Sequence, residues 1–193
     1  MNAIVVGVTT QQPIGRKAAA AETRTRLIES GLRLAERTGL AGLSVNLLVV
    51  EAGVSKGSFF HHFGDRTSYL LALHREFHDR ISAGIENAVA GMAPGRQRLM
   101  TGAQVYLDTC LEQRGVRALL LESRAEAAVA QEIAGRNADF AARCKADFQT
   151  LKRRHPLASA QLWIGLTAEA ALIELQQQSR DRAIRAALEE FLG

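Results

Sequence analysis

Cysteine is scarce in this chain of 193 residues: only two are present, Cys110 and Cys144, with no CxxC pairing. Neither a disulfide framework nor a cysteine-based zinc site fits that usage, which suits a reducing compartment. No apolar run approaches the 18 residues of a membrane span, and the Ala3–Val8 stretch, with no basic residue before it, is too short for a secretory signal. A cytoplasmic protein that neither crosses nor binds a membrane is expected. Proline occurs only at Pro13, Pro94 and Pro156. Strand-like alternation does not persist beyond residue 10, which argues against a sheet. No GxSxG, GxGxxG, P-loop or HExxH signature occurs, so no catalytic residues and no cofactor are assigned.

What is present is an ordinary globular balance, 47% hydrophobic and 23% charged, which argues against disorder. The formal charge of +4 is distributed unevenly. Residues 16–66 hold eight Lys or Arg against five acids, whereas residues 81–193 hold fourteen against thirteen. The excess lies near the N-terminus, where a polyanion would be met.

From Ala18 onward the chain is rich in Ala, Leu, Arg and Glu, and an all-α protein of nine helices is expected. Residues 1–17 follow neither period and read as a flexible arm, in which Arg16 and Lys17 are either a minor-groove contact or a solvated tail. The first helix spans 20–38, with Leu27, Ile28, Gly31, Leu32 and Ala35 on one face and Gly39 as its stop. Two short helices follow, 45–52 and 55–62, with Ser44 and Ser55 as N-caps and a turn at Gly53-Val54. Longer helices are expected over 66–90, 96–112, 116–123, 126–154 and 157–178. A last one, capped by Ser179, should end at Phe191.

The short pair packed beneath an amphipathic helix is a helix-turn-helix pattern, here over 44–63. Val45, Leu48, Val49, Val54 and Phe59 would lock the pair, leaving one side of the third helix as a rigid probe of major-groove width. That side carries Lys56, Gly57, Ser58, His61 and His62, and no carboxylate occurs from Ala52 to Gly64. Small and cationic groups suit a phosphate backbone.

The run Thr25-Arg-Leu-Ile-Glu-Ser-Gly31, then Gly39 to Val45, then Glu51-Ala-Gly-Val-Ser-Lys-Gly-Ser-Phe-Phe-His-His-Phe63-Gly-Asp-Arg66 strongly resembles the DNA-binding domain of the TetR family of bacterial transcriptional regulators. The resemblance covers about 50 residues, Thr25 to Leu73, and beyond them only helix number and order match. It implies a DNA-binding domain over 18–66 and a C-terminal effector-binding and dimerisation domain over 67–193. It also implies a homodimer on a palindromic double-stranded DNA operator, released by a small-molecule effector. Carried over by position, Ser44 and Arg66 would anchor phosphates, Lys56 and Ser58 would approach base edges, and His61 and His62 would reach backbone oxygens. Phe60 stands where the family usually has a phosphate-binding Tyr. The two imidazoles could compensate, so that binding tightens as pH falls through about 6.5.

Within the C-terminal helices, Tyr106, Cys110, Asn137, Phe140 and Trp163 are candidates for a partly apolar effector pocket, plain packing being the alternative. Cys110 and Cys144 fill core or sense redox state. Leu162, Leu166, Ala170, Ile173, Ile184 and Leu188 form stripes for a four-helix dimer interface, or close the monomer's own core. His74 and His78 have the i, i+4 spacing that can hold zinc, but no third ligand lies nearby and they read as boundary residues, with no metal site. The rival functions are a ligand-binding and dimerisation module without operator binding, and a small enzyme using the two histidines.

Overall fold

The computed structural model describes residues 13–193, and among them the regular structure is nine α-helices and one 3-10 turn. In chain order these are α1 (Pro13–Gly42), α2 (Val45–Ala52), α3 (Lys56–Phe63), α4 (Arg66–Ala88), α5 (Arg96–Glu112), α6 (Arg114–Glu122), α7 (Ala127–Thr150), α8 (Pro156–Gln177) and α9 (Arg182–Glu190). The 3-10 turn, Ser123–Ala125, links α6 to α7. The first twelve residues of the expected arm lie outside the described residues. Residues 13–17, assigned to that arm, are instead the first turns of α1. Proline suits a first turn because its missing N–H would be unsatisfied there anyway.

Local signals set most boundaries. Gly39 has φ 61° and breaks α1, which then resumes for one more turn to Gly42. The Ser44 hydroxyl accepts from the Leu47 N–H at 3.2 Å, and the Ser55 hydroxyl from the Ser58 N–H at 3.1 Å. Between them Gly53, at φ 62°, closes α2 in the left-handed region that a side chain disfavours. The last helix departs from expectation. Asp181, not Ser179, caps α9, its carboxylate accepting from the Ala183 and Ile184 N–H groups at 2.8 and 3.1 Å.

One core runs through the chain. In its N-terminal part Leu27, Leu48, Phe59, Tyr69, Leu70 and Leu73 are buried together, with Phe59 and Phe63 edge-on to Tyr69 at 5.2 and 4.9 Å. The Tyr69 hydroxyl donates to the Leu27 carbonyl at 2.8 Å, so the buried phenol is satisfied and α4 is pinned to α1. In the C-terminal part α8 packs against α7 and α5. By length and composition α8 is long and apolar enough to cross a membrane. Its Trp163, Ala170 and Ala171 are instead buried in the protein core.

Candidate nucleic-acid interface and internal cavity

The third helix is held from below and open above. Phe59 and Phe63 anchor it in the core, while Lys56, Gly57 and His61 are exposed and Ser58 and His62 are half-buried. Phe60 is 49% exposed and its ring is T-shaped to that of Phe59, centroids 5.3 Å apart. Ser44 is exposed at the start of α2, where its oxygen caps the helix and its O–H remains able to donate outward. Arg66 is exposed in the first turn of α4. That helix start differs from the simple anion site expected of it. The Asp65 carboxylate already accepts the Ser68 N–H at 2.7 Å, and that bond holds its pKa below the ordinary value. Any phosphate there would be met by the Arg66 side chain rather than by free amides.

Four further residues shape this face. The Arg24 guanidinium lies 5.2 Å from the centre of the Phe63 ring, adding a cation beside His62. Burial, the neighbouring His61 and Arg24 together lower the His62 pKa below its usual 6.5. On α2, Leu47 and Val50 are exposed, the latter at 78%. The one acid on α2, Glu51, is bound by Arg37 at 2.8 Å and by Arg33, so it adds no free negative charge beside the probe. Arg24 could have been noticed from its place one turn before Leu27, and the outward Leu47 and Val50 from the inward assignment of Leu48 and Val49.

A cavity of about 340 Å³ lies between α4, α5, α7 and α8. Tyr106, Asn137, Phe140 and Trp163 line it, which brings four of the five sequence candidates together. Cys110 does not. It is buried behind the wall beside Tyr106, where α5 turns it into the core. Cys144 lines the cavity instead. Burial raises both thiols, Cys144 to about 11, so neither is held as a thiolate.

The two histidines read as boundary residues face this cavity. Their rings lie 4.3 Å apart, and burial pushes both pKa values well down, His74 to about 4. Among the described residues no cluster of three His, Cys, Asp or Glu could hold a metal.

The expected interface stripes divide. Leu162 is 70% exposed and Leu166, Ile173 and Ile184 are half-buried, whereas Ala170 and Leu188 belong to the chain's own core. Ala170 and Leu188 therefore have no free surface, because the α8 and α9 faces that carry them turn inward. Leu157 and Phe191 are also exposed on these helices.

A capped helix pair at fixed angle beneath a third, with a cationic outer face, defines the helix-turn-helix class. Residues 27–73 match the family model for bacterial regulatory proteins of the tetR family. That stretch, about a quarter of the chain, is what it shares with the family. It is 29% identical over 104 residues to the HTH-type transcriptional regulator EthR of Mycolicibacterium smegmatis, covering 52% of this chain and 48% of that protein. It is 32% identical over 81 residues to the HTH-type transcriptional repressor AcnR of Corynebacterium glutamicum, covering 39% of this chain and 43% of the repressor. The matches thus span about half the length of these curated relatives or less. A putative TetR-family regulator from Rhodococcus sp. has the same fold at TM-score 0.76 and 21% identity, over 89% of this chain and 97% of that one. So does the multidrug binding protein EbrR complexed with malachite green, at TM-score 0.70 and 20% identity, over 88% and 98%.

Proposed function

We propose that this chain is a ligand-responsive, DNA-binding transcriptional repressor that acts as a homodimer on a palindromic operator. In this reading residues 18–66 bind DNA and residues 67–193 bind the effector and the second copy. The observation that carries it is the presentation of α3, where Lys56, Gly57 and His61 stand exposed on a helix whose other face is locked by Phe59 and Phe63. Ser44 and Arg66 flank that helix as phosphate anchors, Lys56 and Ser58 approach base edges, and the two imidazoles face the backbone. The likeness to AcnR, a repressor, supports the direction of control.

Exposed Leu162, Leu157 and Phe191, with half-buried Leu166, Ile173 and Ile184, offer the apolar face on which a second copy would sit. The cavity supports a small effector with an apolar body, and the EbrR complex shows that this fold accommodates an aromatic ligand elsewhere. Such a regulator works in the cytoplasm, performs no catalysis and needs no cofactor. Linkage then requires only that the effector bind the DNA-incompetent arrangement more tightly.

Fluorescence anisotropy with duplexes from the region upstream of its own gene tests the reading. Expected is saturable binding by a dimer, with log K falling steeply against log salt. A monomer that ignores every duplex at low ionic strength would overturn it and leave a ligand-binding module.

A further inference from the structure

At one end of the cavity His74, Tyr106 and Arg124 line the wall, and Arg117 lies beside Tyr106. Arg117, on α6, is 2% exposed, yet its Nε and one of its Nη atoms have no hydrogen-bond partner. Its guanidinium lies 5.9 Å from the centre of the Tyr106 ring, which lines the cavity. His74, also 2% exposed and on the cavity wall, has an unpartnered Nδ1. Arg124 lines the same end, where burial and the charge of Arg117 both act against its own.

The other charges around the cavity are already matched. Asp147 is held by Arg98 at 2.7 Å and by the Gly95 N–H at 2.8 Å. Glu86 is bound by Arg143, and Arg136 by Asp79 and Glu132. An unpaired buried guanidinium is costly, and natural proteins keep buried charge only when it is paired or used. His74 and His78 do not add to the positive charge at neutral pH, because burial keeps them unprotonated. They remain able to donate one N–H each. The rest of the wall is mostly apolar, formed by Ile81, Ile85, Leu99, Ile133, Phe140 and Trp163, with Asn137 and Thr167 as further polar side chains.

We propose that the cavity binds an organic carboxylate, its apolar body among the α4, α5, α7 and α8 side chains and its anionic head against Arg117, Arg124, His74 and Tyr106. This rests on the reading of the cavity as an effector site and names the chemistry of the effector. A carboxylate supplies the two acceptor oxygens that a guanidinium fork and an imidazole N–H require. A neutral alcohol offers less to the fork, and an amine repels it.

Trp163 is the single tryptophan of the chain and lines the cavity, so its fluorescence reports occupancy. The test titrates the full chain at pH 7.5 with octanoate, 1-octanol and octylamine, and with 3-phenylpropionate against 3-phenylpropanol. Each carboxylate should bind at least tenfold more tightly than its alcohol, with the amine weakest. Arg117→Met should bring octanoate to the level of octanol, leave octanol unchanged, and raise the thermal midpoint of the unliganded protein. Arg124→Gln, at a more accessible position, should lower octanoate affinity several-fold without altering the fold. Equal or tighter binding of alcohol or amine, wild-type octanoate affinity in Arg117→Met, or no response to any probe would overturn the proposal. Duplex release is measured in parallel. If an alcohol or amine binds instead and releases DNA, the effector reading stands without the anion. If octanoate binds and DNA stays bound, the anion stands and the effector reading falls.

Discussion

The carboxylate of Glu36, near the end of α1, accepts hydrogen bonds from the backbone N–H groups of Gly115 and Val116 in the first turn of α6, each at 3.1 Å. A side chain of the helix beneath the helix-turn-helix pair thereby caps the helix that carries Arg117. The approach is close. A Cβ added at Gly115 would come within 2.3 Å of the Glu36 Cα, a backbone atom that cannot swing aside.

Removing this cap should loosen the joint between the two halves. Glu36→Ala is expected to cost about 1 kcal/mol, as other N-cap losses do, read from denaturant midpoints. Amide exchange at Gly115 and Val116 should rise in the same variant. Unchanged stability together with unchanged exchange would show that the contact carries nothing.

The exposed cations of the probe should register in the salt dependence. Lys56→Ala and Arg66→Ala should each weaken duplex binding, and the slope of log K against log salt should shrink by about 0.9 for every phosphate contact removed. If a variant loses affinity with the slope intact, that side chain is reading a base.

Phe60 lies half-exposed beside its buried neighbour Phe59, where a hydroxyl would point outward into solvent. Phe60→Tyr should therefore tighten binding by about 0.5–1.5 kcal/mol per half-site, the worth of one hydrogen bond. Anisotropy with a two-site duplex measures it. Weaker binding would mean that the ring is buried against DNA.

Burial, His61 and Arg24 hold the His62 pKa below its usual 6.5. Phosphates favour the charged imidazole, so docking takes up a proton and affinity rises as pH falls. The rise belonging to His62 should continue below pH 6.5 and level off only at its lowered free-protein pKa, and His62→Asn should remove it. An unaltered pH profile in that variant would count against the contact.

His74 and His78 act on folding with the opposite sense. Their folded pKa values are depressed by burial, so the unfolded chain binds protons that the folded chain refuses. Their stabilising contribution is complete above about pH 6.5 and is lost as pH falls toward about 4, the His74 value. Carboxylates such as Glu51 and Asp65 are also held below their ordinary values, so their contribution is lost as pH falls through the acid range of unfolded carboxyls, at the lower edge of that window. Replacing both histidines with leucine should flatten the decline in denaturant midpoint between pH 6.5 and pH 4.5. If the decline persists, other groups govern it.

Much of this was legible in the sequence wherever the signal was local. Ser44, Gly53 and Ser55 act on backbone groups within four residues, so spacing alone located α2 and α3. Choices between near neighbours were harder. Ser179 and Asp181 are both plausible caps, and the carboxylate won because it reaches two N–H groups of α9. The cavity depended on helix rotation, which a stripe fixes only to within a residue: Tyr106 faces inward to the cavity and Cys110, one turn on, faces the core. Arg117 gave no signal at all. Flanked by Val116 and Ala118, it reads as an ordinary solvated arginine, and only the packing of α6 against α1 and α5 reveals that it is enclosed.

Helix α4 begins at Arg66, beside the probe, and its Ile81 and Ile85 reach the cavity wall. Its 23 residues make one rod, about 34 Å long at the standard rise. A tilt of about 5° pivoting at the inner end would sweep the outer end through about 3 Å, by the same rigid geometry. A displacement of that size is comparable to the length of one hydrogen bond, so a guest that shifts the wall only slightly could put every phosphate contact on that side out of reach.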